Sequence, residues 1–288
     1  MTKSITRELV IERASELPGF PLVISEILAT LDDPEANLNV LTGLIKLDPV
    51  IAARVLSLAN IAALRTRHLS DIRDIYTATS LIGMGRVRHM AVISSLLDYF
   101  DTISPAGITA TFWQHSVAVG VCCEEVALHI DESVSADSAL IAGLLHDIGQ
   151  LWLHRFSSEG FRDAWGQALA HSRGIEEVER ESFGVDHSTI GTWLAEFWAL
   201  PPGICAAIGH HHDPDQYLNE SLVPIVHVSE VLSNALDLTG RNENRVNHMS
   251  AAACRRLGLK WNENTRALFG RIEARSRHAN SFFSEAVS

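Results

Sequence analysis

The spacing of apolar residues restricts this chain to a helical fold. Over Leu22–Leu31, and again over Leu38–Leu47, apolar side chains recur every three or four residues, which places them on one face of an α-helix. Similar patterns fill most of the 288 residues, and no six consecutive residues alternate strictly between apolar and polar side chains. The sequence therefore predicts an all-α protein.

Capping and turn residues predict where several helices begin and end. Asp48 followed by Pro49 combines an N-cap residue with a proline at the first helical position. The segment Ser70–Asp74 predicts a second helix start. An apolar pattern from Ser138 to His154 predicts one continuous helix through the middle of the chain.

Composition divides the chain into two lobes and a tail. The segment 101–107 contains a Ser-Pro pair and a glycine, which favour a linker. We therefore expect a two-lobed helical bundle, with an N-terminal lobe over residues 1–105 and a larger lobe over residues 106–240. Residues 241–288 carry nine arginine or lysine residues against four glutamates. We expect them to form a basic helical extension that packs on the larger lobe, although a contact with an acidic partner is the alternative.

The overall charge and hydropathy exclude several classes of protein. The formal net charge is −12, and an acidic body repels nucleic acid, so nucleic-acid binding is not expected. No stretch approaches the roughly 20 apolar residues that span a bilayer, and no signal peptide is visible, so a cytoplasmic protein without membrane partners is expected. The four cysteines show no CxxC spacing and are interpreted as small buried residues rather than zinc ligands.

Histidine is abundant, with 14 residues, and one of them stands beside an aspartate in an apolar segment. His146 and Asp147 follow Leu144-Leu145 and precede Ile148-Gly149. Burying two adjacent polar side chains is costly unless both are satisfied. The pair could contribute to a metal site, with Asp147 bridging two ions, or could be a capped and hydrogen-bonded core pair.

Five further residues share this setting, because each lies at a helix end or on an apolar helix face. They are His115, His187, His211, His212 and Glu230. Together with His146 and Asp147 they predict a shared polar centre. Imidazole and carboxylate ligands in one set suit iron, manganese, nickel or zinc.

The order of these residues resembles the HD superfamily of metal-dependent phosphohydrolases, which has an all-α core. Within it, the set is similar to the HD-GYP branch, whose members bind two or three iron or manganese ions and cleave cyclic di-GMP. The N-terminal half, through Leu17–Pro21, Asp48–Asn60 and Leu81–Gly85, resembles the HDOD family, the HD-related output domains of bacterial signalling proteins. The resemblance covers about residues 10–235 and places the HD-like core in the larger lobe.

The resemblance implies a stand-alone HDOD signal-transduction or regulatory protein that is non-catalytic. Its expected cofactor is one or two divalent metal ions, with iron or manganese favoured. The expected metal ligands are the seven residues His115, His146, Asp147, His187, His211, His212 and Glu230. The expected partner is a signalling protein or a small nucleotide ligand.

Departures from the HD-GYP pattern motivate the non-catalytic interpretation. Gln150 stands where that pattern has a lysine, Thr111 where it has an acidic residue, and Glu230 where it has an aspartate. The Gly-Tyr-Pro signature is absent after the paired histidines; Asp213 follows them and is a weaker ligand candidate. The metal-ligand residues of the HD-GYP pattern are therefore largely present, whereas the residues expected to contact the substrate differ. The alternative function is a metal-dependent phosphohydrolase or phosphodiesterase acting on a nucleotide or cyclic dinucleotide, in which metal-bound water and Asp147 would carry the reaction.

Overall fold

The structure is a computed structural model that describes residues 4–29, 38–65, 72–103, 110–130, 134–239, 248–260 and 262–286. Within those ranges the chain forms helices and no strand, so the all-α prediction is confirmed. The chain divides into two compact units, Pro18–Ile103 and Met1–Leu17 together with Ser104–Ser288. None of the helices in the described ranges is both long and apolar enough to cross a membrane.

The described helices are numbered in chain order. Those before residue 104 are α1 (Arg7–Ala14), α2 (Leu22–Ala29), α3 (Leu38–Leu47), α4 (Pro49–Arg65), α5 (Ile75–Ile82) and α6 (Met84–Ile103). Those after residue 109 are α7 (Ala110–His129), α8 (Ala136–Leu145), α9 (Ile148–Phe156), α10 (Ser158–His171), α11 (Ile175–Phe183), α12 (His187–Phe197), α13 (Pro202–His210), α14 (Leu222–Ala235), α15 (Ala251–Arg256) and α16 (Glu263–Ala286). A 3-10 turn covers Pro214–Gln216.

Side-chain caps fix the helix starts in the smaller unit. Asp48 accepts a hydrogen bond from the Ile51 backbone N–H at 3.1 Å, as its position before Pro49 predicts. Helix α5 begins at Ile75, where Asp74 accepts from the Thr77 N–H at 2.8 Å. This start lies at the end of the predicted segment Ser70–Asp74, whose first two residues are outside the described residues.

Helix α1 belongs to the larger unit and not to the predicted N-terminal lobe. Its residue Val10 is fully buried, and α1 packs on α12. Just before it, the Ile5 N–H donates to the Phe183 carbonyl at 2.9 Å, next to the turn that leads into α12. These tertiary contacts place α1 in the larger unit, although it comes first in the chain. The predicted boundaries at residues 105 and 240 lie outside the described residues.

Glycines let the helices of the larger unit approach closely. A Cβ at Gly143 of α8 would lie 2.8 Å from the Gly120 Cα of α7. A Cβ at Gly149, in the first turn of α9, would overlap the His187 carbonyl oxygen and lie 2.8 Å from the Gly191 nitrogen. Because real Cβ atoms do not approach backbone so closely, α9 can contact the start of α12 in this way only with glycine at position 149.

Helix α16 is joined to α7 by ion pairs with two buried glutamates. Arg275 donates to Glu124 at 2.5 Å and to Glu125 at 2.7 Å, and Arg271 donates to Glu125 at 2.8 Å. Burial raises the pKa of Glu125, but hydrogen bonds from Arg275 and Arg271 outweigh burial and leave the pKa below its ordinary value. Removing the Glu125 carboxylate would take away the acceptor of Arg271 and one of the two acceptors of the half-buried Arg275.

A first prediction concerns the α9–α12 contact. Gly149→Ala should lower the free energy of unfolding by about 1–3 kcal/mol, because the added methyl group forces the two helices apart. Gly166→Ala is the matched control, since a Cβ at this position in α10 meets nothing within 4 Å. The control should raise stability by about 0.5–1 kcal/mol. Urea denaturation of both variants measures this, and equal effects would contradict the packing argument.

A second prediction concerns pH. Glu125→Gln should lower the free energy of unfolding at pH 7 by about 1–3 kcal/mol. The carboxylate contributes its stabilisation above its unfolded pKa of about 4.3 and loses it as pH falls through the lower folded pKa. The difference between variant and wild type should therefore shrink below about pH 4.5.

Glu273→Gln, which removes an exposed carboxylate from the same α16 helix, is its control and should change stability by less than about 0.5 kcal/mol at either pH. Urea denaturation at pH 7 and pH 4 provides the comparison. A Glu125→Gln effect that is constant across this range would show that its charge is not what stabilises α16.

Candidate metal centre

His146 and Asp147 lie in a break between two helices. Helix α8 ends at Leu145 and α9 begins at Ile148, so the predicted continuous helix from Ser138 to His154 is wrong. Asp147 has φ −99° and ψ 15°, and its side chain does not cap α9. Its carboxylate is instead directed to neighbouring imidazoles, and one oxygen lies 3.4 Å from His146 Nε2.

The carboxylate of Asp147 lies among four histidines from four parts of the chain. Its Oδ2 atom is 3.4 Å from His146 Nε2 and 3.8 Å from His115 Nε2. Its Oδ1 atom is 3.2 Å from His187 Nε2 and 3.9 Å from His211 Nε2. Burial raises the pKa of Asp147, but the adjacent imidazoles, His146 first, hold it well below its ordinary value. Each carboxylate oxygen thus faces a different pair of histidines.

Backbone carbonyls orient two of these histidines. His146 Nδ1 lies 2.7 Å from the Gly143 carbonyl, and His211 Nδ1 lies 2.9 Å from the Ile208 carbonyl. Because a carbonyl oxygen only accepts, each Nδ1 carries the hydrogen, and each neutral ring has a lone pair on Nε2. Both Nε2 atoms are buried and have no hydrogen-bond partner within the described structure.

A carboxylate orients the third histidine. His187 is the first residue of α12, and its Nδ1–H donates to Glu179 Oε2 at 2.6 Å. The His187 backbone N–H donates to the same oxygen at 2.8 Å. Burial lowers the pKa of His187, but Glu179 and Asp147 together raise it well above its ordinary value. Sequence reasoning missed Glu179, which stands in the charged segment of α11.

His212 and Glu230 complete the centre. His212 Nε2 is 3.0 Å from His187 Nε2, and His212 Nδ1 is 4.0 Å from Glu230 Oε2. Burial and then the neighbouring Asp147 raise the pKa of Glu230 to about 8. Burial also lowers the pKa of His211 and His212 well below the ordinary value, so both rings favour the neutral form that a metal requires.

The structure brings all seven sequence-predicted residues together. They form two groups, within each of which the donor atoms lie no more than 4.8 Å apart. We call them the His187 group and the His115 group. The His187 group is Asp147, His187, His211 and His212, and the His115 group is His115, His146 and Glu230.

The donor set fits a divalent metal ion. The His146 Nε2, His211 Nε2 and Asp147 Oδ1 atoms are buried without a hydrogen-bond partner in the described part of the chain, which is costly unless a ligand satisfies them. Nitrogen lone pairs and a carboxylate oxygen are the ligands that iron, manganese and zinc accept. The side chains of His115 and His212 are 19% and 17% exposed, so the centre is reached from their side.

His227 is a second residue that sequence reasoning missed. Its Nδ1–H donates to the His211 carbonyl at 2.7 Å, and its Nε2 accepts from the Ser250 N–H at 3.0 Å. Ser250 in turn caps α15 through the Ala253 N–H at 3.0 Å. His227 therefore connects the turn that carries His211 to α15.

The residues at which the sequence departs from the HD-GYP pattern lie in different surroundings. Gln150 is buried in the first turn of α9, at 6% exposure. Asp213 is exposed and accepts a hydrogen bond from Gln216 at 3.3 Å, and it belongs to neither group. The Thr111 side chain lies outside the described residues.

Comparison with known proteins agrees with this fold. An HDOD domain protein of unknown function from Geobacter sulfurreducens superimposes with a TM-score of 0.69 at 22% identity, covering 94% of this chain and 98% of that one. A candidate phosphohydrolase from Shewanella amazonensis gives 0.67 at 22% identity, covering 93% and 97%. A candidate signal transduction protein from Marinobacter aquaeolei gives 0.72 at 21% identity, covering 92% and 60%.

Sequence comparison gives the family. An uncharacterized protein of Treponema pallidum is 23% identical over 222 residues, and the match spans 72% of this chain but only 40% of that protein. The HDOD domain model matches residues 17–214, which is more than half of the chain and includes six of the seven clustered residues. With the helical fold and the clustered histidines on the same segment, the chain belongs to the HDOD domain family.

Proposed function

We propose that this HDOD protein is a signal-transduction protein with a two-ion metal centre and no hydrolytic activity of its own. The observation that carries the proposal is the Asp147 carboxylate, whose two oxygens face different histidine pairs. A carboxylate in that position can bridge two ions, one held by the His187 group and one by the His115 group. The imidazole nitrogens and carboxylate oxygens of the two groups are ligands that suit iron or manganese.

The expected role of the metal follows from what surrounds it. When bound, a pair of divalent ions activates water and stabilises charge on a phosphoryl group. Gln150 supplies no positive charge where the HD-GYP pattern has a lysine, so it cannot neutralise a phosphoryl group as an ammonium would. We infer that the centre binds a phosphate-bearing ligand, such as a nucleotide, and that a signalling protein responds to the bound state in the cytoplasm.

A second candidate function is phosphohydrolysis of a nucleotide or of a cyclic dinucleotide such as cyclic di-GMP. The partial exposure of His115 and His212 favours it, because a substrate can approach the centre from that side. In that case, Asp147 and the six other clustered residues would hold the metal, which would supply an activated water for the reaction. Turnover by the loaded protein separates the two candidates.

A third prediction concerns metal content. Protein purified anaerobically without chelator and equilibrated with Fe²⁺ or Mn²⁺ should contain two equivalents of that metal by mass spectrometry. Asp147→Ala should lose both, because both groups share its carboxylate, whereas His115→Ala should keep one. His171→Ala is the control, since His171 is exposed at the end of α10 and should leave the content unchanged.

Added Mn²⁺ should also raise the stability of the metal-free wild type, by about 2.7 kcal/mol for each site at a concentration 100 times its dissociation constant, but not that of Asp147→Ala. If wild-type protein holds no metal and gains no stability from Mn²⁺, the seven residues are a hydrogen-bonded part of the core and not a metal centre.

A fourth prediction concerns turnover. Metal-loaded wild type should hydrolyse cyclic di-GMP and nucleoside phosphates no faster than the double variant His146→Ala/Asp147→Ala. Product chromatography over several hours with Mn²⁺ or Fe²⁺ provides the measurement. Hydrolysis that the double variant abolishes would replace the regulatory proposal with the phosphohydrolase.

A further inference from the structure

Glu179 touches His187 in two places and is itself fully buried. Its Oε2 atom accepts from the His187 ring Nδ1–H at 2.6 Å and from the His187 backbone N–H at 2.8 Å. One oxygen therefore fixes both the start of α12 and the orientation of the ring that α12 carries. Glu179 belongs to neither group, and the other ring nitrogen of His187, Nε2, lies 3.2 Å from Asp147 Oδ1.

Glu179 accepts the His187 ring hydrogen with a carboxylate, whereas the other two oriented rings donate to backbone carbonyls. His146 and His211 donate to backbone carbonyls of their own helices, Gly143 and Ile208. A carbonyl is a neutral acceptor, whereas a carboxylate behind a histidine also increases the electron density of the ring and makes Nε2 a stronger metal ligand. In the His187 group, His187 is the ring held this way.

The two groups also differ in their composition. In the His187 group, His187 and His211 are fully buried and a third imidazole, His212, lies beside them. The His115 group has two imidazoles together with Glu230. The exposed side of each group is similar, because the side chains of His115 and His212 are 19% and 17% exposed. Fewer imidazole donors favour weaker binding and faster exchange.

We propose that Glu179 is a positioning residue that makes the two halves of the metal centre unequal. It holds His187 so that the His187 group binds the tighter, resident ion, and the His115 group binds the weaker, exchangeable one. The inference rests on the proposal that the centre binds two ions. It also says how the centre would be regulated, because the weaker His115 group would gain or lose its ion as the free metal concentration changes.

The test is a chelator-competition titration with Mn²⁺ alone. Wild-type protein should give two dissociation constants, and His115→Ala should abolish the weaker one. Glu179→Gln should weaken the tighter constant by about 10–100-fold, the usual effect of losing a partner behind a metal-binding histidine, and change the weaker one less than about threefold. Glu181→Gln is the matched control, because Glu181 lies two residues further along α11, is exposed, and pairs with Arg173 at 2.6 Å. It should change neither constant.

A spectroscopic readout separates a ligand effect from general loosening. The visible absorption of the first Co²⁺ equivalent should shift in Glu179→Gln and stay unchanged in Glu181→Gln. Should Glu179→Gln fail to fold, Glu179→Asp takes its place. It keeps the charge but withdraws the carboxylate from His187 by one methylene, and it should weaken the tighter constant in the same direction.

Two outcomes would overturn the inference while leaving the metal centre in place. One is a Glu179 variant that binds both ions as the wild type does. The other is a folded Glu179 variant whose two constants weaken equally. Wild-type protein that binds no Mn²⁺ at all would overturn the proposed function itself, and that result is visible before any variant is made.

Discussion

The larger unit is organised around a buried carboxylate that is surrounded by imidazoles. Asp147 is 6% exposed, and its oxygens lie within 4 Å of the Nε2 atoms of four histidines. Such a set is expensive to bury, and apolar side chains of similar volume would often be more stable. Several of its atoms have no hydrogen-bond partner among the described residues, so the protein does not satisfy the set by itself. The set could therefore hold a metal ion, which would supply positive charge to the carboxylate.

The C-terminal ends of α8 and α13 present their histidine rings with the same local geometry. His146 follows the last residue of α8, His211 follows the last residue of α13, and each ring donates back to a carbonyl in the final turn of its helix. Those carbonyls lack an intrahelical partner, so the bond satisfies them and at the same time turns Nε2 outward. Helix α12 instead presents His187 from its first residue, and a carboxylate from α11 accepts the ring Nδ1–H.

The sequence was sufficient to predict the helical fold and the seven clustered residues, because apolar periodicity and unusual polar residues on apolar faces are both local signals. It was not sufficient for the break at His146, since the apolar pattern runs through it without a proline, and the nearby Gly143 and Gly149 lie within α8 and α9 rather than at the break. The contacts of Asp147 with distant histidines interrupt that helix, and they are tertiary. Glu179 was missed for a related reason. It is one of four glutamates in α11, and only packing against His187 distinguishes it from the exposed Glu181.

The preserved ligand set, together with Gln150, is consistent with the proposed regulatory role. An interaction accelerates a reaction only if it is stronger in the transition state than in the ground state. A lysine ammonium meets that condition at a phosphoryl group whose negative charge moves during the reaction, whereas the neutral amide of Gln150 interacts with both states by similar, smaller amounts. A centre with its metal ligands in place and an amide on the substrate side would therefore favour binding of a phosphate-bearing ligand over its cleavage. Slow or absent cleavage is a useful property in a sensor, because the bound state then persists long enough for a partner to detect it.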